Sequence, residues 1–258
     1  MSSARERSSQ KRTLLDGAHL VSAYIDRVGN PVLAAVCTDA WEHREIRALI
    51  ERLGEEQVLC FPPELFAQIA PVESPSGILA LIDIPATTKT DLVKDDFLVL
   101  LDGVQDPGNV GTIIRSAAGA GAHAVMLCPR CADPWSPRAL RAAMGATFAV
   151  EIRPDAVLTE VVEQFQGGVV ATAGREGLPP YAVDLTGPVA LLLGSEGAGL
   201  SRPLAAAATV TVTIPLASDI DSLSVGAAAA VVMFERARQI ALKRAGLQPM
   251  LGAGWGRT

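Results

Sequence analysis

Apolar positions fall into two alternating series along the chain, separated by a polar stretch. Leu14, Leu15, Ala18, Val21, Ser22 and Ile25 share one face at helical spacing, which predicts a first helix. Val32 to Cys37 is a short apolar run and predicts a buried strand. Trp41 to Leu53 is charged and amphipathic, and Gly54 closes it, so a helix is expected there. Gln57 to Phe61 and Gly77 to Ile82 predict further strands. After the polar, aperiodic segment around Thr87, Thr88, Lys89 and Thr90 the alternation resumes more strongly. Strands are predicted at Phe97 to Leu101, Ala124 to Cys128, Thr147 to Ile152, Gly168 to Ala173, Val189 to Leu193 and Thr209 to Ile214. Helices are predicted at Asn109 to Ala120, from Ser136-Pro137 onward, at Asp155 to Phe165 and at Ser222 to Leu242. Ser136 suits the helix cap and Pro137 the first helical position. Continuous apolar strands between helices indicate a mostly parallel sheet covered on both faces. The expected organisation is a basic tail over 1–12, a small α/β domain over 13–84, a linker over 85–95 and a larger α/β domain over 96–258.

Composition narrows the class. A chain of 258 residues with 49% hydrophobic residues can bury a real core without disulfide or metal staples. No run approaches the length of a membrane span, and the Ser- and Arg-rich start lacks the apolar core of a secretory signal. Four cysteines without such a signal suggest a reducing cytoplasm. Cys128-Pro129-Arg130-Cys131 has no second pair to complete a zinc site and no thioredoxin-like setting, so it reads as two unrelated thiols. His19, His43 and His123 are scattered, and no metal site is expected. The net charge of −6 makes the chain no bulk magnet for nucleic acid. A local positive face remains available from Arg5, Arg7, Lys11 and Arg12 in the tail, read as solvated, with Arg115, Arg138 and Arg141.

Three turns that follow predicted strands carry the candidate chemistry. In open parallel sheets, ligands bind beyond the carboxyl ends of strands, so these turns should cluster. The first runs Asp102-Gly103-x-x-Asp106-Pro107-x-Asn109-x-Gly111-x-x-x-Arg115. The second is Gly194-Ser195-Glu196-Gly197-x-Gly199-Leu200. The third is Ile214-Pro215-Leu216, followed after five residues by Ser222-Leu223-Ser224-Val225. Neither a dinucleotide fingerprint nor a phosphate loop is present in its proper context. Together the three turns resemble the motifs of the SpoU family, RNA ribose 2′-O-methyltransferases of the SPOUT superfamily. Asp16-Gly17-x-His19-Leu20-Val21 and Ser76-Gly77-Ile78-Leu79-Ala80 are similar to cues of that family's RNA substrate-binding domain, a ribosomal-protein-like α/β module.

The resemblance implies a C-terminal trefoil knot, a homodimer through the catalytic domain and S-adenosylmethionine as cofactor. It places the cofactor against Thr172, Ala173, Leu193, Gly194, Glu196, Gly197, Ile214, Leu216 and Leu223. It assigns catalysis to Arg115, Asn109, Glu196, Ser222 and Ser224. Guanidinium stays protonated at ordinary pH, so Arg115 is expected to clamp an RNA phosphate and stabilise the developing alkoxide. Asn109 is expected to position the hydroxyl or Arg115. The apolar stretch 225–234 is open to two readings, dimer interface or monomer core. The family's third motif usually reads Ser-Leu-Asn-Val-Ser, whereas this chain has Ser224 and Gly226. The implied activity is methylation of a ribose 2′-hydroxyl in structured RNA, with ribosomal RNA expected ahead of tRNA. The rivals are a catalytically degenerate RNA-binding or ribosome-assembly protein of the same fold and a small-molecule methyltransferase.

Overall fold

Two sheets form, and no strand is shared between them. The computed structural model describes residues 3–72, 74–86, 97–217 and 222–247. The first part contains α1 (Ala4–Gln10), β1 (Arg12–Asp16), α2 (Ala18–Arg27), β2 (Leu33–Cys37), α3 (Arg44–Leu53), β3 (Val58–Phe61), α4 (Pro63–Ile69) and β4 (Ile78–Asp83). Its strand order is β1-β4-β2-β3. β4 is antiparallel to both neighbours, and β2 and β3 are parallel. The expected linker falls largely on 87–96, outside the described residues.

The second part contains β5 (Phe97–Asp102), α5 (Pro107–Gly119), β6 (Ala124–Leu127), α6 (Pro137–Ala143), β7 (Glu151–Arg153), α7 (Leu158–Gln164), β8 (Gly168–Thr172), β9 (Val189–Gly194), α8 (Arg202–Ala207), β10 (Val210–Val212) and α9 (Val225–Arg244). All six strands are parallel, in the order β10-β8-β9-β5-β6-β7. β5 and β9 are central and buried along their whole length. Leu98 and Leu100 join Leu158 and Leu204 on the face of α7 and α8. Val99 and Leu101 join Ile113, Leu140 and Val232 on the face of α5, α6 and α9. This alternation explains why the strand sequences are apolar throughout.

Three sequence expectations fail locally. Leu14 and Leu15 lie in a strand, because β1 pairs with β4, and the helix starts only after Gly17, whose φ is +112°. The basic start is a helix rather than a solvated tail. Ser3 and Glu6 cap it reciprocally, and Arg7 is only 5% exposed, with Nη2 2.6 Å from Asp133 Oδ2. Ala146–Phe148 forms a 3₁₀ turn, which leaves only Glu151–Arg153 as strand.

The first part is held against the second by specific contacts. Thr13 Oγ1 donates to the Trp135 carbonyl at 2.7 Å, and Tyr24 packs edge-on to Phe148 with ring centroids 5.3 Å apart. Arg141 lies 3.5 Å from the buried Asp16 carboxylate.

Candidate active site

The carboxyl ends of β8, β9 and β10 surround a cleft of about 210 Å³. Thr172, Ala173 and Gly174 follow β8, and Gly194, Ser195, Glu196 and Gly199 follow β9. Val212, Ile214 and Leu216 come from β10 and the chain after it. Ser222, Leu223 and Val225 lead into α9, which adds Ala228 and Val232. The first and second turns meet here. Asp106 caps α5 by accepting from the Asn109 N–H at 2.8 Å. The Asn109 side chain then donates Nδ2–H to Glu196 Oε1 at 2.7 Å. The second turn is closed by reciprocal backbone bonds between Ser195 and Gly199, of 3.1 and 2.9 Å. Gly194 permits that closure, because a Cβ there would meet the Gly199 backbone at 2.2 Å.

Most of the expected cofactor residues are brought together: Thr172, Ala173, Gly194, Glu196, Ile214, Leu216 and Leu223 all line the cleft. Leu193 does not. It is fully buried in β9, opposite Leu101. Gly197 is not among the residues that line the cleft, and nothing lies within 4 Å of an added Cβ there. Ala228 and Val232 lie outside the sequence expectation, although their spacing from Val225 puts all three on one helical face. Ser222 lines the cleft. Ser224 is occupied structurally, since its Oγ accepts the Ala227 N–H at 3.2 Å and caps α9.

Arg115 is exposed on α5 and opens into a different groove from Glu196. His19, Ser22 and Arg27 of α2 form one wall of it, facing Arg115 and Gly119 of α5. Asn109 therefore orients Glu196, and the described residues do not bring it to Arg115. A shallow hollow beside the cleft is lined by Tyr181, Ile214, Pro215, Val231 and Phe234, and Phe234 is 51% exposed.

Asp102 ends β5 beneath the second turn and is 3% exposed. Its Oδ2 accepts the Ser201 N–H at 2.7 Å, and its Oδ1 accepts from the Arg130 guanidinium. Burial pushes its carboxyl pKa up, but the Ser201 N–H and the Arg130 guanidinium outweigh burial and hold it below the usual range. Cys128 and Cys131 are not unrelated: their sulfurs lie 3.9 Å apart. Among the described residues, no group of three or more His, Cys, Asp or Glu is placed to hold a metal ion. Nor is any helix among them long and apolar enough to cross a membrane.

Residues 96–234 match the profile of the SpoU rRNA Methylase family. An uncharacterised tRNA/rRNA methyltransferase of Synechocystis sp. is 30% identical over 90% of this chain and 86% of its own length. The 23S rRNA (uridine(2479)-2′-O)-methyltransferase of Streptomyces viridochromogenes is 33% identical over 75% of this chain and 71% of its own. The crystal structure of an AdoMet-bound rRNA methyltransferase from Sinorhizobium meliloti superposes with a TM-score of 0.76 at 28% identity, covering 93% of this chain and 92% of that one.

Proposed function

Since the chain belongs to the SpoU rRNA methylase family, we propose that it transfers a methyl group from S-adenosylmethionine to a ribose 2′-hydroxyl of ribosomal RNA. The observation that carries this reading is the Asn109–Glu196 hydrogen bond at a cleft built from three strand ends. The cleft suits the cofactor. Gly174, Gly194 and Gly199 put bare backbone on its wall, and Ile214, Leu216, Leu223 and Val225 offer apolar contact for a purine ring. Glu196 brings a carboxylate to the same space. When bound, the cofactor supplies an electrophilic methyl group and leaves as a neutral thioether, so no acid is needed at the leaving group.

What the chain itself must do is present the hydroxyl in near-attack geometry. Asn109 fixes the Glu196 carboxylate, and Ser222 offers a hydroxyl at the cleft. Arg115 holds an RNA phosphate in the adjoining groove and so fixes the ribose relative to the cleft. Its groove is walled by α2, which makes the N-terminal part a participant in RNA binding. Two further features belong to the proposal. A trefoil knot is supported by the chain's return from β10, at the sheet edge, to α9 against α5. A homodimer through the catalytic part is supported by the exposed apolar residues Tyr181, Val231 and Phe234 beside the cleft. The reaction belongs in the cytoplasm, where ribosomal RNA is available.

The test is transfer of labelled methyl to total ribosomal RNA and tRNA from a strain lacking the protein, with the product mapped. Label is expected on a ribose of ribosomal RNA. Arg115→Ala should slow transfer by about 10² and leave cofactor affinity unchanged, as for a ribose no longer held in line with the methyl group. Label on a base, or on neither RNA, would overturn the reading. Near-wild-type activity of the variant would remove Arg115 from the mechanism.

A further inference from the structure

The turn after β6 holds two thiols for which methyl transfer has no use. The Cys131 N–H donates to the Cys128 carbonyl at 3.0 Å, so residues 128–131 close a four-residue turn. Such a turn keeps its end Cα atoms within about 7 Å, close to the span of a disulfide. The sulfurs are already 3.9 Å apart. Both side chains line a cleft of about 540 Å³ beside α1, which gives a small solute access to them. We propose that Cys128 and Cys131 form a reversible dithiol–disulfide site, oxidised by a peroxide, whose state reaches the cofactor loop through Asp102. The second half of this proposal rests on the functional reading above.

The transmission path is short. In the reduced protein the Cys128 thiol donates to Asp102 Oδ1 at 3.6 Å. Arg130, carried by the same turn, donates to the same oxygen. The other carboxylate oxygen holds the Ser201 N–H, just beyond the 194–199 loop, and Asp102 itself lies opposite Gly194 in the sheet. The Cys131 thiol donates to the Leu101 carbonyl at 3.1 Å. Oxidation removes both S–H donors from the end of β5 and redraws the turn that positions Arg130. The carboxylate anchoring the cofactor loop then loses part of what compensates its buried charge.

The chemistry balances. The Cys128 thiolate attacks one oxygen of hydrogen peroxide, the O–O bond breaks, and the leaving hydroxide takes up a proton as water. The Cys131 sulfur then attacks the Cys128 sulfenic acid. The S–O bond breaks, and a second water carries away the Cys131 proton. Two thiols and one peroxide thus give one disulfide and two waters. Burial and the neighbouring Cys128 push the Cys131 thiol up to about 12, which disfavours Cys131 as the thiolate that meets peroxide first. An excess of dithiol reduces the pair again.

The experiment treats the full-length protein with hydrogen peroxide, blocks the remaining thiols and maps the peptides. Binding of S-adenosylmethionine is measured by calorimetry on reduced, oxidised and re-reduced samples. A Cys128–Cys131 link and about tenfold weaker binding are expected, both reversed by dithiothreitol. Cys128→Ser keeps a hydroxyl donor for Asp102, so it should bind as reduced wild type does and ignore peroxide. Cys131→Ser should also form no link, but peroxide should leave its Cys128 as a sulfenic acid that a sulfenic-acid-specific reagent traps. Absence of the link, or a link that leaves binding unchanged, overturns the proposal. Reduced wild type that binds no S-adenosylmethionine would instead overturn the functional reading, while the peptide map still decides whether the thiol site exists.

Discussion

Residue 224 is a serine where the family pattern has an asparagine, and its geometry explains why the exchange is tolerable. Both residue types accept from the first free N–H groups of a helix, and both rank at the top of N-cap preference. Ser224 does this for α9 at 3.2 Å. Gly226 has a related reason: a Cβ there would sit 3.0 Å from Asn109 Oδ1 and 3.3 Å from Thr112 Cγ2. Its absence lets α9 approach α5 while Asn109 reaches Glu196. These two departures are thus compatible with an intact site. Ser224→Ala should cost about 1 kcal/mol, read as a fall in Tm of roughly 2–4 °C, with activity reduced only mildly. Ser224→Asn should restore the Tm. An asparagine variant as unstable as the alanine one would show that the cap is not what Ser224 supplies.

At the scale of elements, the close crossing of α5 and α6 sets where the first turn points. A Cβ on Gly111 would meet the Ala139 carbonyl at 2.2 Å and the Ala142 Cβ at 2.6 Å. Gly111 in the first motif therefore serves helix packing rather than substrate. Gly111→Ala must push the two helices apart, at about 1–3 kcal/mol, and a fall in Tm of roughly 6–12 °C is expected for the upper end of that range. Calorimetric unfolding at wild-type Tm would sink this account. The long, buried elements are legible in the sequence because burial on both faces leaves a continuous apolar run, as in β5 and β9. The α6 start is legible from its Ser-Pro cap, and Ser136 Oγ does accept the Ala139 N–H at 3.3 Å. The helices α1, α4 and α8 have seven, seven and six residues, too few for a period to stand out. The first helix is shorter than its pattern suggests because Leu14 and Leu15 fit a helical face and also a strand paired with β4. At the site, the turns point to the cleft, but the Asn109–Glu196 bond joins residues 87 positions apart, which no local pattern reveals.

At the scale of the whole molecule, an acidic protein that binds RNA must do so with few cations. The net charge is −6, and of the seven basic residues that suggest an RNA face, four are engaged within the fold. Arg7 pairs with Asp133 at 2.6 Å, Arg12 with Asp83 at 2.8 Å, Arg138 with Asp106 at 3.1 Å and Arg141 with Asp16 at 3.5 Å. Arg115 makes no ion pair with another described residue and shares its groove with Arg27. Each phosphate neutralised releases counterions, so log affinity falls with log salt by about 0.7–0.9 per contact. Arg115→Ala should therefore lower that slope by about 0.7–0.9 in filter-binding titrations over a range of salt. Arg7→Ala removes a cation of the same charge from the same chain, but a buried one. It should leave the slope unchanged and instead lower the Tm, because Asp133 loses its partner. If both variants changed the slope equally, RNA would run across α1 rather than through the groove between α2 and α5. If neither did, Arg115 would have no phosphate to hold.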